Sequence, residues 1–122
     1  MSKAAAHAAK SIRPRLRVTL GADIALGPGK VELLELVAET GSIAKAATQM
    51  EMSYMRAWLL IKTMERCFRK PLVEAVRGGS ERGGTRLSPT GAKVVALYRQ
   101  MDAACLRATN EHWYELRRLL SG

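Results

Sequence analysis

The sequence is short of aromatic residues, of acidic groups and of long apolar runs. Two Trp, three Tyr and one Phe among 122 residues are too few for a sheet that stacks RNA bases. The longest apolar runs, such as 57–61, have five residues, whereas a membrane-spanning helix needs roughly 20. Residues 1–10 also lack the continuous apolar region of a secretory signal. We therefore expect no membrane association and a cytoplasmic location.

Residues that do chemistry are equally scarce. Cys67 and Cys105 stand 38 positions apart with no metal-ligand spacing beside them, which is typical of structural cysteines. His7 and His112 have no second ligand nearby, and no nucleophile motif occurs. The sequence therefore predicts no enzyme, no catalytic residue, no metal site and no cofactor.

Positive charge is plentiful. Twenty Lys and Arg oppose eleven Asp and Glu, so the formal net charge is +9. Residues 1–20 contain five basic and no acidic groups, and residues 51–86 contain eight basic and four acidic groups. Such an excess favours a polyanionic partner, either nucleic acid or an acidic membrane surface. Double-stranded DNA is the partner that we expect from the order of elements described next.

Capping and breaking signals divide the chain into short elements. In order, they predict a strand at 15–20, helices at about 28–39, 43–50 and 54–68, strands at 72–77 and 85–87, and a helical region from 89 onwards. In the first helix, Val31, Leu34 and Ala38 are predicted to face inward, and Glu32, Glu35 and Glu39 outward.

This order is that of a winged helix-turn-helix: mostly α, with a small β-hairpin wing and a long C-terminal helical region. We divide the chain into a basic arm (1–14), a winged helix-turn-helix DNA-binding domain (15–88) and a C-terminal helical dimerisation region (89–122). Ala46 and Ala47 provide the small contact that two steeply crossing helices need. Gly78 to Gly84, with four glycines in seven residues, predicts an exposed loop at the wing tip.

The third helix is the predicted reading element. Its stripe of Ala57, Ile61, Met64 and Phe68 is expected to pack inward. The residues that we predict to contact DNA are Ser42, Ser53, Tyr54, Met55, Arg56, Trp58, Lys62, Arg77, Arg82 and Arg86. Met55 and Leu59 fit either thymine methyl groups or a tolerated surface position equally well. Trp58 lies at the border of the stripe, where packing is favoured over a DNA contact.

Four segments resemble the DNA-binding domain of ModE-type molybdenum-responsive regulators, which are related to LysR-type regulators. They are Gly-Pro-Gly-Lys (27–30), Glu-Thr-Gly-Ser-Ile (39–43), Met-Ser-Tyr-Met-Arg-Ala-Trp (52–58) and Arg-Leu-Ser-Pro-Thr-Gly (86–91). The resemblance implies a dimeric, winged-helix transcription factor. It also predicts a regulator that lacks the molybdate-binding sensor domain, since 122 residues leave no room for it. Its effector, a small molecule or an oxyanion, stays undetermined.

Glu51 departs from that family, because it stands at a turn position where Gly or Asn is frequent. We expect strain on the order of 1 kcal/mol there. An alternative function, a winged-helix adaptor that contacts another regulator protein, fits the same composition.

The C-terminal region carries two apolar stripes that do not lie on one line. They are Val94, Tyr98, Met101 and Cys105, and then Leu106, Thr109, Trp113, Leu116 and Leu120. We expect either a bend or a new helix near Thr109 and Asn110, with Asn110 as the candidate cap of a new helix. We also expect a homodimer in which Trp113, Leu116 and Leu120 are buried against a second copy.

Overall fold

The computed structural model describes residues 8–77 and 84–122. The helices are α1 (Pro28–Thr40), α2 (Ile43–Gln49), α3 (Tyr54–Glu65) and α4 (Pro89–Leu119). The strands are β1 (Val18–Leu20), β2 (Asp23–Leu26), β3 (Val73–Val76) and β4 (Gly84–Leu87). The predicted winged helix-turn-helix, mostly α with a small hairpin after its three short helices, is confirmed.

Helix α1 is delimited by residues that restrict the backbone. Pro28 opens it, and Gly41 closes it in the left-handed region at φ 72°, where its N–H donates to the carbonyl of Val37. The residues buried on this helix are Val31, Leu33, Leu34 and Val37. The expectation that Ala38 faces inward is wrong, because Leu33 and Val37 turn the buried face away from it and Ala38 is exposed. Glu35 does not face water alone either, since Arg99 of α4 binds its carboxylate.

Helices α2 and α3 begin at serine caps, as predicted. Ser42 accepts the N–H of Lys45, and Ser53 accepts the N–H of Arg56, each at 3.1 Å. Between the helices, Glu51 has a φ of 56°. The predicted end of α3 near residue 68 is wrong, because the helix ends at Glu65 and the chain then tightens into i to i−3 hydrogen bonds.

The two sheets are separate antiparallel hairpins. The predicted strand at 15–20 is shorter, and its pairing with β2 was not foreseen from the sequence; Gly21, at φ 59°, makes the turn between them. The second hairpin pairs Val73 with Leu87 and Val76 with Gly84, in the predicted position of the wing. We call β3, β4 and the residues that join them the wing. Its tip, residues 78–83 with Arg82, lies outside the described residues.

One core holds these elements together. Side chains from all three short helices meet there with Leu26, Leu72 and Tyr98. Of the stripe predicted on α3, Ala57, Ile61 and Met64 are fully buried, whereas Phe68 lies beyond the helix and is half-buried.

Helix α4 is one unbroken helix of 31 residues, about 46 Å long. Of the two alternatives predicted near Thr109, a new helix is wrong, because α4 continues through Thr109 and Asn110 and Asn110 caps no helix. The Thr109 hydroxyl donates to the carbonyl of Cys105, one turn earlier in the same helix, at 2.8 Å. The first half packs on the domain, where Tyr98 is buried and donates its hydroxyl to the carbonyl of Leu16 at 2.8 Å. Residues 106–120 are almost all exposed.

The two cysteines are both half-buried and free. None of the described helices is long and apolar enough to cross a membrane.

Candidate nucleic-acid interface

The outward surface of α3 combines apolar and basic side chains. With Ala57, Ile61 and Met64 buried, Met55 and Leu59 lie opposite them at 100° per residue and are 59% and 49% exposed. Four more residues of this helix are exposed, namely Tyr54, Arg56, Trp58 and Lys62. No acidic side chain lies on α3 before Glu65. Over its first three turns, this surface can therefore approach an anion without repulsion from an acidic side chain of the same helix.

A cleft of about 800 Å³ lies between the wing and the corner of α1 and α2, with Tyr54 of α3 in its lining. It is lined by Ser42, Lys45, Tyr54, Thr85 and Arg86, among others. The wing is fixed against the corner between α1 and α2, because Thr85 donates its N–H to the carbonyl of Gly41 at 2.9 Å. Gly84 permits this approach, since a Cβ there would overlap the same carbonyl oxygen. We call this the α2–wing cleft.

At the C-terminal half of α3, three side chains form a connected cluster. The ammonium of Lys62 lies 5.6 Å from the centre of the Trp58 ring and 3.2 Å from the carboxylate of Glu65. The other carboxylate oxygen of Glu65 accepts the N–H groups of Leu72 and Val73, at 2.7 and 3.1 Å. Glu65 thus ties the end of α3 to the start of β3, and it holds Lys62 at the surface.

The wing carries its own ion pair. Arg86 on β4 donates to the carboxylate of Glu74 on β3 at 3.0 Å, and its side chain is 64% exposed. Arg77 follows β3 and is also exposed. Exposed ion pairs contribute little to stability. Glu74 therefore orients the Arg86 guanidinium but leaves it able to bind a stronger anion, such as a phosphate.

The structure brings most of the predicted residues to one side of the domain in three adjoining groups. Ser42, Tyr54 and Arg86 line the α2–wing cleft, Ser53, Met55 and Arg56 line a hollow on α3, and Trp58 and Lys62 line another. Both serines act as helix caps, in which the hydroxyl oxygen accepts a backbone N–H and the O–H can still donate to a phosphate. Trp58 is 37% exposed, at the border of the buried stripe as predicted. Arg77 joins none of these groups, and Arg82 lies outside the described residues.

Two residues of this surface were missed in the sequence. Lys45 lies in the α2–wing cleft, and its position three residues after the Ser42 cap was a signal that it would be exposed near the turn. Glu65 had no such signal, because its backbone partners lie seven and eight residues further along.

The predicted dimerisation residues lie near the free end of α4. Trp113 is half-buried and Leu116 is 54% exposed. Leu120 follows the last helical residue with extended backbone, so it does not continue the helical stripe. Lys10 donates to the carbonyl of Arg117 nearby, so the N-terminal segment reaches this end of the helix.

Between α1 and α4, Arg99 joins the helix to the domain. Its guanidinium binds both carboxylate oxygens of Glu35 and also Asp102, at 2.8 Å. The hydrogen bonds from Arg99 hold the pKa of Glu35 below its ordinary value. Burial raises the pKa of the neighbouring Tyr98 hydroxyl. The ion pair between Arg99 and Glu35 ties α4 to α1.

Helix α2, the serine-capped α3 and the hairpin wing follow one another along the chain. This order defines a winged helix-turn-helix protein. The profile of the family described as bacterial regulatory helix-turn-helix protein, lysR family, matches residues 29–92, just over half of the chain. The chain belongs to this family. It carries the helix-turn-helix domain of a DNA-binding transcriptional regulator.

Similar proteins include several with molybdenum in their names. The chain is 40% identical over 88 residues to the molybdenum transport protein ModE of Azotobacter vinelandii, a match that covers 70% of the chain and 33% of that protein. It is 35% identical over 83 residues to the molybdenum-pterin-binding protein MopA of Rhodobacter capsulatus, covering 68% and 31%. With the transcriptional regulator ModE of Haemophilus influenzae the identity is 31% over 101 residues, covering 83% and 38%. The chain spans about a third of the length of these relatives.

Proposed function

We propose that the protein reads a specific duplex DNA site by inserting α3 into the major groove, with the wing on the flanking backbone. The observation that carries this proposal is the α3 surface itself, which is exposed, free of acid before Glu65 and bordered by Arg56 and Lys62. A major groove about 12 Å wide accepts one helix of this kind.

Phosphate contacts are assigned to the borders of that surface. The first turn of α3 presents backbone N–H groups at its positive end, where a phosphate is favoured. Lys45 and Arg86 both line the α2–wing cleft, and we assign a contact with the DNA backbone to them. Arg77 and Arg82 belong to the same proposed backbone contact through their place at the wing.

Two chains are proposed to act together through α4. On the free half of this helix, Leu106 and Leu116 are exposed apolar residues on the same side as Trp113. Burial against the same helix of a second copy would cover them with two-fold symmetry and present two α3 helices to successive major grooves, about 34 Å apart. Trp113, Leu116 and Leu120 are the residues that we assign to this interface.

The relatives' names suggest a place in molybdenum-linked regulation. We extend to this chain only the DNA-reading part of that role, in the cytoplasm and without catalysis, because the match covers about a third of each relative. Residues 8–77 and 84–122 contain no group of three or more His, Cys, Asp or Glu fit to hold a metal ion.

A salt titration tests the proposal. Binding of the full chain to a random 30-base-pair duplex is measured by fluorescence anisotropy over a range of KCl concentrations. Because each neutralised phosphate contributes a slope of about −0.9 in log K against log salt, we expect a steep linear decline. A flat response, or no binding at low salt, would contradict DNA reading and favour the protein-adaptor alternative.

Arg56 separates base reading from anchoring. On a site selected by the protein, Arg56→Ala should lower affinity by about 1 to 3 kcal/mol, with little change on random duplex. Arg107→Ala, an exposed cation on α4, is the matched control. Equal losses on both duplexes would reduce Arg56 to a phosphate contact.

A further inference from the structure

The middle of the α3 reading surface has no hydrogen-bonding side chain in its first two turns. Met55 and Leu59 occupy it, one helical turn apart and directly opposite the buried stripe. Polar groups flank it, with Arg56 on one side and Trp58 with Lys62 on the other. The two side chains that would lie deepest in a groove therefore cannot read a base by hydrogen bonds.

Two exposed apolar side chains on a helix could also mark a protein contact. The charge around them argues for DNA, because α3 exposes no acid before Glu65, and Lys62, Arg66 and Arg56 surround the apolar pair. Lys45 and Arg86 add positive charge across the adjoining α2–wing cleft. An apolar centre inside a basic rim complements a groove whose walls are phosphates.

The apolar group that projects from a base edge into the major groove, and that side chains read by apolar contact, is the C5 methyl of thymine. We propose that Met55 and Leu59 are specificity-determining residues that select thymine through these methyl groups; the inference rests on the proposed function. Side chains four apart on a helix are about 6 Å apart, and base pairs rise by about 3.4 Å. The two residues therefore reach thymines one or two base pairs apart, on either strand.

The flexible thioether of Met55 and the branched side chain of Leu59 differ in how closely they must be placed against a thymine methyl. Methionine adapts to the position of a methyl group, whereas leucine has few rotamers and requires closer placement. Leu59 should therefore discriminate more sharply between thymine and its demethylated analogue.

Uracil in DNA tests the inference, since it pairs as thymine does and lacks only the methyl. The full chain first selects duplexes from a randomised library. The enriched duplex is then synthesised with each thymine in turn replaced by deoxyuridine, and affinities are compared at one salt concentration. We expect at least two replacements, one or two base pairs apart, to weaken binding. The replacement at the thymine that Leu59 reads should weaken it about fourfold, the ratio expected for burial of one methyl, and the one at the thymine that Met55 reads should weaken it less.

Variants link the effect to the two side chains. Leu59→Ala and Met55→Ala should each lose the preference for thymine over deoxyuridine at one position and retain it at the other. Leu97→Ala on α4, whose residue is as exposed as Leu59, should retain both preferences. Because both reading residues are exposed and alanine favours helix, the variants should keep the wild-type circular dichroism and the same salt slope on random duplex.

Failure of the inference differs from failure of the proposed function. Enrichment of a duplex that binds equally well with deoxyuridine throughout overturns the thymine reading and leaves DNA recognition intact. A deoxyuridine effect of the same size in wild type and in both alanine variants also overturns it, because the methyl would then act through DNA shape. Absence of any enrichment, with a flat salt response, overturns the proposed function itself.

Discussion

Glu65→Ala should destabilise the protein far more than removal of a surface carboxylate usually does. The Glu65 side chain is 13% exposed, and one oxygen accepts two backbone N–H groups, from Leu72 at 2.7 Å and Val73 at 3.1 Å. Hydrogen bonds to a charged group contribute about 1.5 to 3 kcal/mol each. Because the two hydrogen bonds share one acceptor, we expect the free energy of unfolding to fall by about 3 kcal/mol in total. Ordinary domains have a free energy of unfolding of about 5 to 15 kcal/mol.

The conservative variant sharpens this expectation. In Glu65→Gln the amide oxygen can still accept both N–H groups, so the charge and the exposed contact with Lys62 are lost and the cost should fall to about 1 kcal/mol. Urea unfolding at one protein concentration, followed by circular dichroism, measures both variants. Glu32→Ala is the control, an exposed acid on α1 whose removal should change stability by less than about 0.5 kcal/mol.

The same variant has an effect on DNA binding that stability does not explain. Glu65 holds both Lys62 on α3 and the first residues of β3, so its loss uncouples the wing from the reading helix. At a temperature where Glu65→Ala remains folded, affinity for a selected duplex should fall, although a negative charge has been removed. A Glu65→Ala protein as stable as Glu32→Ala, or one that binds the selected duplex more tightly than wild type, would refute this account.

Two further predictions concern the attachment of α4. Gly91→Ala should cost about 1 to 3 kcal/mol in urea unfolding, because a Cβ there would overlap the carbonyl oxygen of Leu72, whereas Gly29→Ala, which points into open space, should not destabilise the protein. Arg99 lowers the pKa of the Glu35 carboxylate. The ion pair therefore stabilises the fold at pH values above the ordinary pKa near 4.5, and this stabilisation is lost as the pH falls through the lowered pKa of the folded state. Thermal melts should therefore show wild type more stable than Glu35→Gln at neutral pH, with the difference shrinking below about pH 4.5; a difference independent of pH would contradict this.

Local signals in the sequence were enough to predict the helix starts. Ser42, Ser53 and Ser88 each cap a helix by accepting an N–H group three residues later. A cap depends on a few consecutive residues, so no knowledge of the rest of the fold is needed. The positions of α2, α3 and the wing followed from such signals.

What the sequence did not reveal depends on distant partners. Whether Ala38 or Leu33 faces the core depends on which elements cover α1, and the spacing of apolar residues on that helix allowed both. The unbroken α4 shows the same limit, because the change of apolar stripe near Thr109 falls inside one continuous helix and does not begin a new one. Of the site, the residues on α3 were predictable from periodicity, whereas the connection through Glu65 was not.

Glu51 is the place where sequence and structure agree on strain, and it permits a test of that strain. Its φ of 56° lies in the left-handed region, which costs a residue other than Gly or Asn about 1 kcal/mol or more. Glu51→Asn should therefore stabilise the protein by about 1 kcal/mol, because asparagine tolerates this conformation without the greater unfolded-state entropy that glycine brings. Glu51→Gln removes the same charge and keeps the strained backbone, so thermal unfolding of the two variants separates strain from electrostatics. If Glu51→Gln is stabilised as much as Glu51→Asn, the charge and not the backbone is responsible, and the strain assigned to this turn is wrong.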